Sequence, residues 1–317
     1  MKRSLVLLPL LMLLAACGQQ AEPPAATPTA TAGKTLDQPA EPTAPTGTKE
    51  LFAAKLDQVL AGGWRSDANK ARDQYRHPKQ TLQFFGLKSG DTLIEITPGA
   101  GWYAEILAPL MKGSGTYVAA VGKPRNPEGE AARDNSGIKK KFSDDPAEYS
   151  EAKVIEFDGK APEFGPAGSA DIVLTFRNVH NWVMGGTEKD MFKAFFDVLK
   201  PGGVLGVVDH RAAEGADLEK IKESGYLPQD YVIKLATDAG FKLAAQSEIN
   251  ANPKDTKDYE KGVWTLPPTY ELGDKDREKY ATIDKSDRMT LKFVKPGGSD
   301  KIFHQGADAS GADGSGK

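Results

Sequence analysis

The sequence predicts an α/β fold in which a doubly wound, mostly parallel sheet carries helices on both faces. Short apolar runs typical of strands alternate with amphipathic segments across residues 51–297, and this alternation is typical of strand–helix units. The first run, Thr92–Ile96, leads into a glycine-containing turn and then into a helical pattern. Residues outside this region lack a core-forming pattern, so the folded part has the length of one α/β domain.

The elements follow from periodicity and from turn residues. Helices are predicted over 51–60 and 66–75, Pro78 breaks the second one, and a third helical segment is expected to end near 85–86. After the glycine turn, apolar residues recur at helical spacing from Tyr103 onward. Apolar runs bounded by turn residues predict the other strands at 116–121, 153–157, 171–176, 204–208, 241–249 and 289–294.

The segments between these strands are predicted in the same way. Residues 123–150 are polar and are expected to contain a short helix. Thr187 with Asp190 three residues later resembles a capping box, which predicts a helix start. The Lys-Pro-Gly-Gly sequence at 200–203 predicts where that helix ends. A further helix is expected near 231–239, and the charged run 274–288 is typical of a solvated helical face.

The first residues resemble a bacterial lipoprotein signal. A basic start is followed by an apolar run at 5–14, too short to span a bilayer, and then by Leu-Ala-Ala-Cys ending at Cys17. The resemblance implies that residues 1–16 are a signal peptide and that Cys17 carries the lipid that anchors the protein to a membrane. The protein would then face the periplasm in the cell envelope, and Gly18 favours the outer membrane. An ordinary signal peptide with an incidental Cys remains the alternative.

Composition bounds the rest of the chain. Residues 17–50, rich in Ala, Pro and Thr, are expected to be a disordered linker, and 298–317 a disordered tail. The 41 basic residues against 44 acidic ones, a net charge of −3, argue against a nucleic-acid partner. One Cys excludes a disulfide framework and a Cys-based zinc site, and the four His show no metal-ligand spacing, so no metal is predicted.

The glycine turn is the first candidate binding element. Glycines between a strand and a helix let a ligand approach the backbone. Residues 99–104 fit the dinucleotide pattern G-x-G-x-x-A. That pattern requires an acid about 20 residues later, but 119–122 read Ala-Ala-Val-Gly. An NAD-dependent oxidoreductase is therefore the least favoured hypothesis.

The same region resembles class I S-adenosylmethionine-dependent methyltransferases. The resemblance covers about 75–297 and depends on Glu95 at the end of the first strand, the glycine turn, Asp158, Asp171 and the Lys-Pro-Gly-Gly sequence. The runs 72–78 and 98–103 are similar to an exported bacterial branch of that family. The family implies a Rossmann-like, seven-stranded sheet whose last strand is antiparallel, S-adenosylmethionine as cofactor, and a small-molecule acceptor.

The resemblance also implies cofactor-binding residues. Gly99 and Gly101 would bring backbone against the methionine part, Glu95 would accept from its amine, and Asp158 would bind the adenine amino group. Thr97 stands where the family has its first glycine, and the acid that binds the ribose is missing. The remaining residues expected at the cofactor are Pro98 and Trp102 in the turn, and Arg177 and Asn178 after the fourth strand.

The other candidate residues lie at the carboxyl edge of the predicted sheet, where doubly wound sheets bind ligands. His180 is a candidate general base, because its ordinary pKa suits proton removal near neutral pH; packing within its loop explains it equally well. Lid or substrate contacts are expected from Tyr75, Arg76, His77, Tyr103, Trp182 and Trp264. Core packing is the alternative for each aromatic residue.

Two functions remain open. The first is a lipid-anchored methyltransferase; the second is a catalytically inactive methyltransferase-fold protein that binds an envelope metabolite or a protein partner. Export favours the second, because S-adenosylmethionine is made in the cytoplasm. The sequence specifies neither the acceptor nor the oligomeric state.

Overall fold

The computed structural model describes residues 47–297. The predicted signal peptide, Cys17, most of the linker and the tail lie outside these residues. The strands are β1 Thr92–Ile96, β2 Thr116–Gly122, β3 Lys153–Phe157, β4 Ala170–Phe176, β5 Leu199–His210, β6 Lys242–Ser247 and β7 Arg288–Val294. The helices are α1 Thr48–Ala61, α2 Asp67–Lys70, α3 Asp73–Arg76, α4 Pro78–Phe85, α5 Ala104–Met111, α6 Glu130–Asp144, α7 Pro146–Tyr149, α8 Val179–Gly185, α9 Glu188–Val198, α10 Leu218–Ile221, α11 Gln229–Asp238 and α12 Arg277–Ile283.

The seven strands form one sheet in the order β3-β2-β1-β4-β5-β7-β6. Neighbours from β3 to β5 pair in parallel, and β7 is antiparallel to both β5 and β6. The predicted fold class is confirmed, including the antiparallel last strand. The strand order reverses between β1 and β4, and a crevice outside the carboxyl ends of the strands is expected at that point.

The sheet is buried on both faces. Alternate residues of β1 point to opposite sides, so Leu93 packs with α1, α4 and α5 while Ile94 packs with α8, α9 and α11. Continuous apolar strands are typical of parallel sheets covered on both faces. No helix among residues 47–297 is long and apolar enough to cross a membrane.

Several local predictions need correction. The insertion contains the 15-residue helix α6 rather than a short helix, and residues 179–185 form α8 where none was predicted. Thr187 precedes α9 but its side chain makes no capping hydrogen bond. The charged run 274–288 is not a solvated face throughout, because Asp287 and Arg288 are buried. A run of charged residues does not by itself predict exposure, because distant parts of the chain can cover some of its side chains.

The segment before α4 packs on α5 and is held by polar contacts. The indole N–H of Trp64 donates to the Glu105 carbonyl, and that of Trp102 donates to the Asn69 carbonyl, both at 2.9 Å. The buried Arg65 guanidinium binds both oxygens of Asp73 at 2.7 and 2.8 Å. These contacts bring residues 72–77 to the carboxyl edge of the sheet.

Candidate functional site

The two glycines of the turn after β1 have different surroundings. Both have positive φ, 57° at Gly99 and 83° at Gly101. A Cβ on Gly101 would lie 2.6 Å from Cδ1 of Ile138 in α6, whereas on Gly99 the nearest atom would be Oδ2 of Asp134 at 3.6 Å. Gly101 therefore permits close packing of α6, and Gly99 is the glycine beside which a ligand has room.

The strand order reverses between β1 and β4, and each of these strands is followed by a residue with strained, left-handed backbone. Thr97 after β1 has φ 51° and Arg177 after β4 has φ 62°, although neither is glycine. The buried amide of Asn178 joins these two strand ends, since its Nδ2 donates to the Ile96 carbonyl at 2.9 Å and to Thr175 Oγ1 at 3.1 Å. Left-handed non-glycine residues cost roughly 1–3 kcal/mol each and concentrate at ligand sites.

Glu95 is buried on the α5 side of β1. The hydroxyl of Tyr117 donates to its carboxylate at 2.7 Å. Burial raises the pKa of Glu95 to about 7, and the Tyr117 hydrogen bond opposes that rise. A cation such as an amine would stabilise the ionised form of this carboxylate.

Helix α6 supplies an acid that the sequence analysis did not identify. Asn135 Nδ2 donates to the Gly122 carbonyl at 2.8 Å, which fixes α6 against the end of β2. The neighbouring Asp134 is half-buried and faces Gly99. Burial raises the pKa of Asp134, and Glu130 raises it further. Spacing from β2 could not indicate this acid, because it comes from the inserted helix rather than from the strand end.

His180 and Asp209 form a buried pair. Asp209 Oδ1 lies 2.8 Å from His180 Nδ1. Asp209 Oδ2 accepts the Val179 N–H at 2.7 Å, while Oδ1 also accepts the His210 N–H at 2.7 Å. Since an ionised carboxylate only accepts, Nδ1 of His180 carries the proton and Nε2 has a lone pair. This is the tautomer that a general base requires.

A metal is a weaker interpretation of the same residues. His180, Asp209 and His210 each offer a ligand atom within 4.8 Å of the others. Both Asp209 oxygens, however, already accept N–H groups. Burial lowers the pKa of His210, and His180 and nearby arginines lower it further. Positive potential of this kind opposes a divalent cation.

The arginines of this edge are Arg72, Arg76, Arg177 and Arg288. Arg76 and Arg288 are buried, at 6% and 5% exposed. The Arg76 guanidinium lies 4.5 Å from the centre of the Trp102 ring. Burial lowers the pKa of Arg76 to about 7, and Arg177, Arg72 and Arg288 contribute in that order. Burial, followed by Arg177, lowers the pKa of Arg288 to about 10.

Three aromatic residues that were predicted as lid or substrate contacts pack against different neighbours: Tyr103, Trp182 and Trp264. Tyr103 stacks on Phe176 with ring centres 3.6 Å apart, directly below this edge. Trp264 lies 6.2 Å from the His180 ring, and Trp182 packs on Phe195 at 5.5 Å within the core between α8 and α9.

Asp158, which was predicted to bind the adenine amino group, directly follows β3, the strand at one edge of the sheet. Asp158 is exposed after β3, where its carboxylate accepts the Lys160 N–H at 2.9 Å.

A cleft of about 300 Å³ opens beside one of these arginines, Arg288, which is among its lining residues. The predicted lid residues Tyr75 and His77 line it as well. The Arg288 guanidinium donates to the Tyr75 carbonyl. His77, whose φ is 43°, joins α3 to α4, and burial followed by Arg288 lowers its pKa.

Comparison with known proteins gives similarity at the level of the fold. No protein-family model matches the chain, and no curated protein matches it. A solved structure assigned as a sarcosine dimethylglycine methyltransferase from Galdieria sulphuraria is 12% identical, with TM-score 0.50, over 77% of this chain and 98% of that one. A SAM-dependent methyltransferase from Aquifex aeolicus is 15% identical, with TM-score 0.47, over 77% and 98%.

A methyltransferase assignment also accompanies a third similar structure, from Bacillus halodurans, which is 16% identical with TM-score 0.47, over 70% of this chain and 99% of that one. Identities this low establish architecture and leave activity to the site itself. Together with the strand order, the similarity to the Galdieria sulphuraria structure shows that this chain has the class I methyltransferase fold.

Proposed function

We propose that the protein is an S-adenosylmethionine-dependent methyltransferase that acts on a small-molecule acceptor. The observation that carries the proposal is the glycine turn after β1, where Gly99 leaves room beside the Asp134 carboxylate. The hydrogen-bonded His180–Asp209 pair follows the neighbouring strands β4 and β5. The family resemblance in sequence and the fold both agree with the proposal.

The cofactor would lie along the glycine turn. Glu95 would accept from the methionine amine, whose positive charge favours the ionised carboxylate. Asp134, beside Gly99, would accept from the ribose hydroxyls in place of the acid missing after β2. Asp158, exposed after β3, would bind the adenine amino group. Thr97, Pro98 and Trp102 would line the turn, and Arg177 and Asn178 the facing strand end.

Methyl transfer requires mainly positioning. When bound, S-adenosylmethionine would supply an activated methyl group to the acceptor nucleophile and would itself become a neutral thioether. Holding the two reactants in line supplies much of the rate. His180 Nε2 would take the proton of the nucleophile, and Asp209 would stabilise the resulting imidazolium.

Binding of S-adenosylmethionine and of its demethylated product tests this proposal. Titration calorimetry on the full chain should detect both ligands, and Asp134→Asn should weaken both about tenfold, the effect of losing one charge-assisted hydrogen bond. Glu130→Gln removes the same charge one helical turn away at an exposed position and should change neither affinity. Absence of binding by the wild-type protein would refute the cofactor assignment.

The alternative proposal is a binding protein that keeps this fold without transferring methyl. Two observations favour it: Thr97 occupies a glycine position, and the arginines create a positive potential that opposes a sulfonium. Release of the demethylated product in the presence of an acceptor distinguishes the two functions, because only the enzyme generates it.

We also propose that the protein is a lipoprotein of the cell envelope, anchored through lipid on Cys17 and facing the periplasm, with the outer membrane favoured. The signal-like residues 1–17 support this proposal. Mass spectrometry of the amino-terminal peptide should find diacylglycerol on Cys17. Cys17→Ser should release the protein from the membrane fraction, and retention of that variant in the membrane would contradict the proposal.

A further inference from the structure

Among the buried and half-buried arginines of residues 47–297, those at the carboxyl edge lack the carboxylate partners that Arg65 and Arg211 have. Arg65 is bound by both oxygens of Asp73. Arg211 is bound by Glu248 and by Asp287. Within residues 47–297, by contrast, no carboxylate forms a hydrogen bond or ion pair with Arg72, Arg76, Arg177 or Arg288.

Burial makes this difference costly. Arg76 and Arg288 are more than nine-tenths buried. The buried Nε of Arg288, like that of the paired Arg65, has no hydrogen-bond partner in the described structure, but only Arg65 has a carboxylate on its other nitrogens. Buried charges are normally paired, because removing an ion from water without a counter-charge is strongly unfavourable. Two acids offset part of this charge, since burial lowers the pKa of Arg177 and that of Arg288, and Asp209 and Asp287 respectively oppose the decrease. Both are shared with other donors, because Asp209 accepts backbone and His180 N–H groups and Asp287 is bound by Arg211 and Lys257.

The cleft that Arg288 lines also has an excess of positive charge. Among the charged residues that line it, Lys254, Lys285 and Arg288 are basic and Asp284 alone is acidic. An anion that enters the cleft would meet Arg288, whose guanidinium interacts electrostatically with those of Arg76 and Arg177. Guanidinium groups bind phosphate and carboxylate oxygens through paired N–H donors, which gives both charge and geometry.

We propose that this is the acceptor site and that the acceptor is a small polyanion, whose phosphate or carboxylate groups are held by Arg72, Arg76, Arg177 and Arg288. This inference rests on the proposed function for its description of the anion as the methyl acceptor. The number of arginines exceeds what the cofactor requires, because the cofactor has a single carboxylate together with a positive amine and sulfonium. The anion would therefore also offset the positive potential that opposes the sulfonium.

The first test measures anion binding without the cofactor. Calorimetry and thermal unfolding of the full chain are followed with inorganic phosphate in one series and citrate in another, at constant ionic strength with chloride. We expect at least one anion to bind and to raise the unfolding temperature. The stronger of the two identifies phosphate or polycarboxylate as the class.

Charge variants locate the site. Arg177→Gln and Arg72→Gln should each weaken anion binding about tenfold or more. Arg125→Gln makes the same charge change at an exposed position and should leave binding unchanged. No binding of either anion, or equal losses in all three variants, would overturn the proposal. Arg177→Gln and Arg72→Gln change side chains that are not fully exposed and could therefore alter folding. The unfolding temperature of each variant without anion checks that it still folds.

A second titration separates this inference from the proposed function. S-adenosylmethionine is titrated with and without the stronger anion, and its affinity should rise when the anion is present. The demethylated product, which has a neutral sulfur, should show a smaller increase. Anion binding without any cofactor binding would refute the methyltransferase proposal and retain the anion site, whereas cofactor binding without anion binding would do the reverse.

Discussion

Arg76 and Arg65 offer a direct test of the uncompensated charge, because both guanidiniums lie near the same ring. Their distances to the centre of Trp102 are 4.5 and 5.5 Å. Only Arg65 has a carboxylate partner, Asp73. We therefore expect Arg76→Met to stabilise the protein in anion-poor buffer and Arg65→Met to destabilise it.

The magnitude follows from the surroundings of Arg76, which lower its pKa from 12.5 to about 7. At about 1.4 kcal/mol for each tenfold change in a protonation equilibrium, this corresponds to roughly 7 kcal/mol as an upper bound. A guanidinium keeps its proton in proteins, so the penalty lowers stability instead of neutralising the group. Loss of the stacking on Trp102 offsets about 0.5–2 kcal/mol of the gain.

After these offsets and solvent relaxation, we expect Arg76→Met to increase the free energy of unfolding by about 1–3 kcal/mol, the range seen when buried charges are replaced by apolar residues. For a domain of this size the unfolding temperature should rise by about 2–12 °C. Arg65→Met should instead cost about 1–3 kcal/mol, because it removes the guanidinium from the partly exposed Asp73 carboxylate and from the Leu60 carbonyl.

Chemical denaturation and thermal unfolding, with and without the stronger anion, provide the assay. A saturating anion should stabilise the wild type by about 3 kcal/mol at 100 times the dissociation constant, and the variant by less, so the order of stability should reverse. If Arg76→Met were less stable than the wild type in anion-poor buffer and did not respond differently to the anion, the reasoning from uncompensated charge would be refuted.

Three further predictions concern the crevice. Burial raises the pKa of Glu95 to about 7, so its contribution to stability is full below pH 4.5 and is lost as the pH rises through 7. The variant Glu95→Gln still accepts from Tyr117, and it should be about 1–3 kcal/mol more stable than the wild type at pH 8 and nearly equal to it at pH 5. Equal urea midpoints of the two proteins at pH 8 would contradict this. Gly101→Ala should cost about 2–4 kcal/mol through its φ and the clash with α6, whereas Gly99→Ala should cost only about 1 kcal/mol, and thermal unfolding that ranks them in the opposite order would exclude this packing argument. Asp209→Asn should lower the rate at which the demethylated product forms at least about 100-fold, because it disturbs the tautomer of His180, while cofactor affinity stays within about twofold. An unchanged rate would exclude the His180–Asp209 pair from the mechanism.

Much of the fold follows from local pattern. Six of the seven strands were predicted to within two residues at each end, because most are apolar runs whose ends are marked by turn residues. The fifth, β5, begins five residues before its predicted start, so the Lys-Pro-Gly-Gly sequence lies inside it. Parallel pairing then requires that the ends of β1, β4 and β5 share one edge, which is why the glycine turn, Arg177 and His180 could be placed together from sequence. The same reasoning could not specify partners, so Asp209 was not identified as the residue that orients His180.

The sequence by itself determined the architecture and the edge at which a ligand would bind, since periodicity and strand order depend on neighbours along the chain. The tertiary structure alone decided which charges are buried and which are paired. Arg76, Arg177 and Arg288 are separated by about a hundred residues from one to the next, and Asp134 comes from an inserted helix. Compensation of a buried charge depends on distances between such remote groups, and no local pattern encodes them.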